Sequence, residues 1–296
     1  MKLQILDSVL PESLEPVASA LPQLGQLPLA GSSLAELLQA KAAALPAKLA
    51  LSLSPCLWPS AALWQNLAKQ EQACRLLSPQ GDLLGWLSEG FEPPAADCKE
   101  LRLDTASLLI RYPWDLLPLN EALLGAFSED RLLGVVRPGV NWDGFLHLGE
   151  GSVILPGVYI EGNVSIGRHC KIGPNCYLRG NTSIADHCHV GNGVEIKNSL
   201  LCQQVAVGHL SYVGDSVVCQ NSNFGAGSIC ANLRHDGKNQ RCLVKGEKID
   251  TGRRKLGAFI GANVKLGINT SIYPGRKLYS NCSTKPGEIV QKDLTS

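Results

Sequence analysis

LGEGSVILPGVYIEGNVSIGRHCKIGPNCYLRGNTSIADHCHVGNGVEIKNSL, from Leu148 to Leu200, is the stretch on which the fold turns. Leu148, Ile154, Ile160, Ile166, Ile172, Leu178, Ile184, Val190 and Ile196 follow one another at intervals of six. If Leu, Ile and Val make up roughly a quarter of an ordinary chain, such a run arises by chance on the order of once in 10⁵. Four places after each aliphatic residue comes a small or aliphatic one, as at Ser152, Val158, Val164, Cys170 and Cys176, and Gly often follows it directly, as at Gly167, Gly173 and Gly191. Hexads of this kind belong to parallel β-helices, in which each short face buries one large aliphatic side chain and turns the corner with a small one. The pattern is that of the left-handed, triangular variety with three hexads to a coil, so residues 18 apart lie above one another at about 4.8 Å.

Outward from this stretch the period slips once, between Ile196 and Val207, then resumes at Val213 and Cys219 and fails at Gly225. A charged excursion, RHDGKNQRCLVKGEKIDTGRRK from Arg234 to Lys255, is expected to protrude from one edge of the solenoid. The hexads return at Ile260, Leu266, Ile272 and Leu278 and fade at Thr284. Residues 134–296 are therefore read as a left-handed β-helix carrying a charged loop at about 234–255. Residues 1–133, rich in Leu, Ala and Pro, read as a small α/β domain ending in a linker helix. There, Ala61 to Cys74 has helical spacing with Leu63, Leu67 and Cys74 on one face, Asn120 is placed to cap a helix through Phe127, and CRLLSPQGDLLGWL (Cys74 to Leu87) reads as two strands around a turn.

A net charge of +1 gives no field for nucleic acid, and no membrane partner is expected, because charged, Gly or Pro residues interrupt every apolar segment even though 45% of residues are apolar. The N-terminus lacks a basic region followed by an apolar stretch, so the expected location is the cytoplasm. Eleven cysteines occur without a C-x-x-C pair and are expected to be reduced core residues.

Against so regular a background the exceptions locate chemistry. The slot after the aliphatic residue holds Arg179 and Lys197, which are 18 apart and should stack on one edge, a fork and a point charge suited to a phosphate. Beyond them, VGHLSYVGDSVVCQNSNFGAGSICAN (Val207 to Asn232) sets His209, Tyr212, Asn223 and a Gly-Ala-Gly turn among the repeats. A neutral imidazole is well matched to taking a proton near pH 7. His169 and His187 should also stack, but His189 alternates with His187 across an extended chain, so no metal site is expected.

Taken together, Arg179, Lys197, GHLSYVGD (Gly208 to Asp215), Asn223, FGAGSI and Ala231-Asn232 strongly resemble the acetyltransferase domain of the bifunctional enzymes that acetylate glucosamine-1-phosphate and uridylylate the product, over about 150 residues. ANLRHDGK, then KIDTGRRKLGAFIG, is similar to the archaeal-type branch, the bifunctional sugar-1-phosphate nucleotidylyltransferase/acetyltransferases. RYPWDLLPLNEALL (Arg111 to Leu124) is similar to the link that precedes the β-helix there. The resemblance implies direct transfer from acetyl-CoA to the amine of a hexosamine 1-phosphate, glucosamine-1-phosphate or galactosamine-1-phosphate, with His209 as general base. It further implies that Arg179, Lys197, Tyr212 and Asn223 hold the sugar phosphate, that Ala226, Asn232, Ala262 and Ser280 lie along acetyl-CoA, that no metal takes part, and that the protein is a homotrimer. The Asn-Tyr pair of the bacterial enzymes is Asn232-Leu233 here, as in the archaeal-type branch. The Gly-rich L-x-x-G-x-G-T-R-x-x-P loop of the nucleotidylyltransferase domain is missing, and LPLAGSSLAELLQ (Leu27 to Gln39) is only faintly similar to another of its segments. Residues 1–133 are accordingly read as a degenerate remnant or an unrelated domain without nucleotidyl transfer. An acyltransferase for another sugar or a nucleotide-linked amino sugar, and a non-catalytic trimeric sugar-phosphate-binding scaffold, stand as alternatives.

Overall fold

The computed structural model describes residues 1–7, 10–21 and 23–295. It divides into two compact units, one of Met1–Leu10, Pro22–Leu27 and Ser32–Arg111, the other of Pro11–Leu21, Pro28–Gly31 and Tyr112–Ser296. The first unit is built on a five-stranded mixed sheet in the order Leu3–Ile5, Ala50–Leu53, Leu83–Ser88, Cys74–Leu77, Lys99–Arg102. Cys74–Leu77 and Leu83–Ser88 form the antiparallel hairpin expected from the sequence. The helix after Ser60 stops at Ala68, so Cys74 lies in a strand and not on the helical face assigned to it. A helix over Leu34–Ala43 begins with a capping box in which Ser33 accepts from the Glu36 amide and Glu36 reaches back. That box satisfies amides the first helical turn leaves unpaired.

The second unit is the parallel β-solenoid the hexads call for. Its strands line up as three sheets of eight, seven and eight strands, here called the first, second and third faces in the order the chain visits them, starting from Arg131–Leu132, Val135–Val136 and Asn141–Asp143. Leu148, Ile166, Ile184 and Leu201 stack inside the first face, Ile154, Ile172, Val190 and Val207 inside the second, and Ile160, Leu178, Ile196 and Val213 inside the third. All are at most 2% exposed and form one continuous core. Alternation along each short strand sends the neighbouring side chains outward.

The register departs from the expected one at the corner between third and first faces. Arg179 still pairs with Lys197, 18 residues on, but Ser183 pairs with Leu200 and Leu200 with Val217, each 17 on. The corners at Asn198 and Asp215, both at positive φ (46° and 47°), are one residue tighter than the corner at Gly180. A second slip therefore follows Val213. Val218, Phe224 and Cys230 continue the inner ladder where Cys219 and Gly225 had been expected, and the ladder runs on to Val290.

The slot after each inward residue sorts by face. On the second face from Ile172 on it is Gly173, Gly191, Gly208, Gly225 and Gly267, the earlier coils holding Arg137 and Leu155. A Cβ on Gly191 would stand 1.9 Å from the Gly208 carbonyl oxygen of the next coil, so no side chain fits. On the third face the slot opens outward and holds Glu161, Arg179, Lys197 and Gly214.

The first face is covered by parts of the chain that precede the coils. Helix Leu116–Gly125 holds Asn120 in its middle, not at its cap. The Asn120 Nδ2 donates to the Asn181 carbonyl (2.7 Å) and its Oδ1 accepts from Ser183 Oγ (2.6 Å). Trp114 packs 6.1 Å from Phe259, the Ala30 amide donates to Ser183 Oγ, and Gln220 Nε2 donates to the Ala20 carbonyl. The charged excursion does not stand free either. It folds as a hairpin, Arg241–Val244 against Glu247–Asp250, whose buried Cys242 donates to the Gly275 carbonyl, while Arg253 pairs with Glu121 at 2.5 Å. All eleven cysteines are free thiols and all but Cys98 are buried. Among the described residues no helix is long and apolar enough to cross a membrane.

Candidate active site

The third face carries two outward columns. One runs Tyr159, Tyr177, Glu195, Tyr212, Ile229 and the other Glu161, Arg179, Lys197, Gly214. Arg179 and Lys197 are direct neighbours across the sheet, as their spacing requires. Each also has carboxylate partners. Arg179 lies 3.1 Å from Glu195 and 3.5 Å from Glu161, with its guanidinium 5.1 Å from the centre of the Tyr177 ring. Tyr177 in turn donates to Glu161. Lys197 Nζ reaches both oxygens of Asp215, at 3.0 and 3.2 Å. These carboxylates relieve the repulsion between two adjacent cations.

Tyr212 opens the same face one coil later. Its hydroxyl accepts from Asn232 Nδ2 at 2.9 Å, and the same nitrogen donates to Asp215 at 2.6 Å. Burial, then the charges of Asp215 and Glu195, push the Tyr212 phenol up to about 12. Asn232, assigned by resemblance to the acetyl-CoA side, therefore joins the group around Lys197 and Tyr212.

His209 ends its strand on the second face at the corner leading to Tyr212, and its backbone pairs beside Asn192. The residue is exposed. Its carbonyl accepts from the Gly227 amide (3.2 Å), which brings the Gly-Ala-Gly turn alongside. From Tyr212 to Gly214 the strand spans three residues of about 3.3 Å each, roughly 10 Å between the histidine corner and the basic corner.

Other assigned residues lie elsewhere in the chain. Asn223 is exposed on the second face between Ala206 and Lys265. Ala226 is at the corner between second and third faces, its carbonyl accepting from the Asn269 amide. Ala262 and Ser280 sit at the corner between first and second faces, joined by a 3.0 Å bond from the Ala262 amide to Ser280 Oγ. One chain thus gathers Arg179, Lys197, Tyr212 and Asn232, sets His209 beside Ala226, and leaves Asn223, Ala262 and Ser280 apart from them. His169 and His187 stack with ring centres 5.1 Å apart at the corner between first and second faces.

Sequence reading missed Glu161, Glu195, Asp215 and Asn198. Two of the carboxylates had a legible signal, Glu161 lying 18 before Arg179 and Asp215 lying 18 after Lys197, whereas Glu195 is 16 after Arg179. Asn198 had none, because its role depends on the tightened corner.

The family described as the GMPPB C-terminal domain matches residues 160–254. A bifunctional sugar-1-phosphate nucleotidylyltransferase/acetyltransferase of Sulfurisphaera tokodaii is 43% identical over 185 residues, 62% of this chain and 46% of that protein. The bifunctional protein GlmU of Methanococcus maripaludis strain C7 is 51% identical over 185 residues, 62% and 44% of the two chains, and that of Methanocaldococcus jannaschii 40% over 184 residues, 62% and 45%. The chain spans about half the length of these curated relatives, and the match lies in its C-terminal part. Among solved structures, a putative acetyltransferase of Bacillus cereus covers 56% of this chain and 79% of its own at 16% identity with a TM-score of 0.25, a likeness too loose to carry an argument.

Proposed function

We propose that over its β-helical segment this chain belongs with the bifunctional sugar-1-phosphate nucleotidylyltransferase/acetyltransferases it resembles, and that it is an acetyl-CoA-dependent N-acetyltransferase acting on a hexosamine 1-phosphate. The observation that carries the reading is the pairing of Arg179 with Lys197 on the face that begins beside His209. Arg179 and Lys197 hold the phosphate, Tyr212 orients the sugar, and Asn223, which lies on the second face away from them, reaches the sugar from a neighbouring copy. His209 takes a proton from the substrate ammonium, the freed nitrogen attacks the thioester carbonyl, and the tetrahedral intermediate collapses with departure of the coenzyme A thiolate, which is then protonated. Of the Gly-Ala-Gly turn, the Gly225 and Gly227 amides already donate to the Leu266 and His209 carbonyls, whereas the Ala226 amide makes no backbone bond among the described residues. Ala226 N–H is the oxyanion donor in this scheme. No cysteine nucleophile is needed, and burial pushes the nearby Cys230 and Cys242 thiols up to about 12.

Ala226, Ala262 and Ser280 face the donor from different corners, so acetyl-CoA lies between copies of the chain in a cytoplasmic homotrimer. Leu210 (64% exposed) and Ile268 (53%) at the corner beside His209 supply apolar surface for that assembly. Arg254 and Lys255, exposed and without an ion pair among the described residues, are left to reach coenzyme A phosphates or a neighbouring copy. Residues 1–133 are assigned no nucleotidyl transfer. The carboxylates already engaging Arg179 and Lys197 favour, as a second reading, an amino sugar whose phosphate is masked or lacking, held through its amine and hydroxyls by Glu161 and Glu195.

Thiol release from acetyl-CoA, measured with glucosamine-1-phosphate, galactosamine-1-phosphate and unphosphorylated glucosamine, tests both. Release should depend on a phosphorylated acceptor, and His209→Ala should lower kcat by about 10²-fold or more. Arg179→Ala should chiefly raise the acceptor KM. An absence of acceptor-dependent release, or an unimpaired His209→Ala, sinks the mechanism, and a preference for glucosamine itself selects the second reading.

A further inference from the structure

The carboxylate of Asp215, at the corner after the third-face strand Tyr212–Gly214, gathers several donors. It sits at a tight corner with φ of 47°, its side chain 2% exposed, and accepts from three different residues. Lys197 Nζ donates to both its oxygens, Asn232 Nδ2 to one (2.6 Å) and Asn198 Nδ2 to the other (3.0 Å). Asn232 Nδ2 also donates to the Tyr212 hydroxyl. Asn198 Nδ2 also donates to Glu121, which pairs with Arg253, so the same carboxylate is tied to the helix before the coils and to the end of the charged hairpin.

Space is arranged for this contact. A Cβ on Gly214 would lie 2.3 Å from the Tyr212 hydroxyl and 2.8 Å from Asn232 Nδ2. The glycine interrupts the column Glu161, Arg179, Lys197 and leaves the room through which Tyr212 folds down onto Asn232. A charged acceptor buried among three donors fixes their positions more firmly than neutral bonds do. Lys197 on a flexible stem has no other ion-pair partner among the described residues.

We propose that Asp215 is a positioning residue that fixes Lys197 directly, and Tyr212 through Asn232, in the arrangement that receives the phosphate-bearing acceptor. The role of the acceptor rests on the function proposed above; the positioning of Lys197 and Tyr212 does not. Asp215 touches no reacting atom in this scheme. Its removal should damage acceptor binding and spare the chemical step.

Two variants separate this from a stabilising role: Asp215→Asn removes the charge, and Gly214→Ala keeps it while crowding Tyr212. With wild type turning over, each should raise the acceptor KM at least tenfold while kcat and the KM for acetyl-CoA stay within about threefold. Unchanged acceptor KM in a folded Asp215→Asn protein, or equal losses in kcat and both KM values, overturns the proposal. A second readout needs no turnover. The phenolate absorbance of wild type minus that of Tyr212→Phe isolates the Tyr212 transition, and Asp215→Asn, compared with its own Tyr212→Phe double variant, should move that transition to lower pH. A transition that stays in place overturns the link from Asp215 to Tyr212. If wild type shows no acceptor-dependent thiol release, the function fails while this titration still decides the link. Should Asp215→Asn not fold, Gly214→Ala decides through its acceptor KM, tenfold up in support or unchanged in refutation.

Discussion

The first and third faces of the solenoid share coil, core and hexad, yet meet their surroundings in opposite ways. Both turn one aliphatic residue per strand inward. Outward, the first face presents Ser165, Ser183, Leu200, Val217, Phe259 and Lys277, every one at most 3% exposed, because the helix Leu116–Gly125 and the segments Pro11–Leu21 and Pro28–Gly31 belong to the same compact unit and supply its covering partners. The third face presents tyrosines, carboxylates and two cations that partner one another across the rungs and stay half open. A hexad therefore specifies the inside of a solenoid and leaves each outer face free for a separate use: one face here is a packing surface, the other a candidate site.

That contrast sets the order of expected mutational effects. Phe259→Ala should be the most damaging of three, costing about 3–5 kcal/mol in urea unfolding, because a fully buried ring leaves a cavity against Trp114. An effect below 1 kcal/mol would mean that the first face is not sealed in solution. Asn120→Leu comes next, at about 1–3 kcal/mol, since in a buried place it leaves the Asn181 carbonyl without its side-chain donor and the Ser183 hydroxyl without its acceptor. A loss confined to the helix, with the coils melting as before, would show that helix and coil unfold separately. Tyr177→Ala on the third face should change stability by less than about 1 kcal/mol, because its hydroxyl and ring contacts are partly exposed. Its acceptor KM should nonetheless rise, as the ring backs Arg179. Equal destabilisation by Phe259→Ala and Tyr177→Ala would erase the distinction between the faces.

How much of this was legible beforehand differs by residue. The stack of Arg179 on Lys197 follows from an 18-residue coil and is found as expected. The same count gave the wrong ladder between Val213 and the charged excursion, because a one-residue tightening at Asp215 turns Val218 and Phe224 inward rather than Cys219 and Gly225, whereas Ile260, Leu266, Ile272 and Leu278 beyond the excursion face inward as expected. Asn120 looked like a cap by residue type, but its buried amide serves Asn181 and Ser183 across a separation of more than sixty residues. The hairpin at Arg241–Asp250 was read as a protruding charge run; its alternate residues Cys242 and Val244 are buried, a two-residue period hidden among lysines and arginines.

The sequence alone determined the coil, since burying one aliphatic side chain per strand at fixed spacing admits no other repeating packing, and it marked His209, Arg179 and Lys197 as departures from that repeat. Only the tertiary structure decided which faces are covered, that the corner at Asp215 shortens the coil a second time, and which carboxylates hold the cations. Those outcomes depend on contacts between residues far apart in the chain, where a single corner of altered length shifts the pairing of the strands that follow it up to the next insertion.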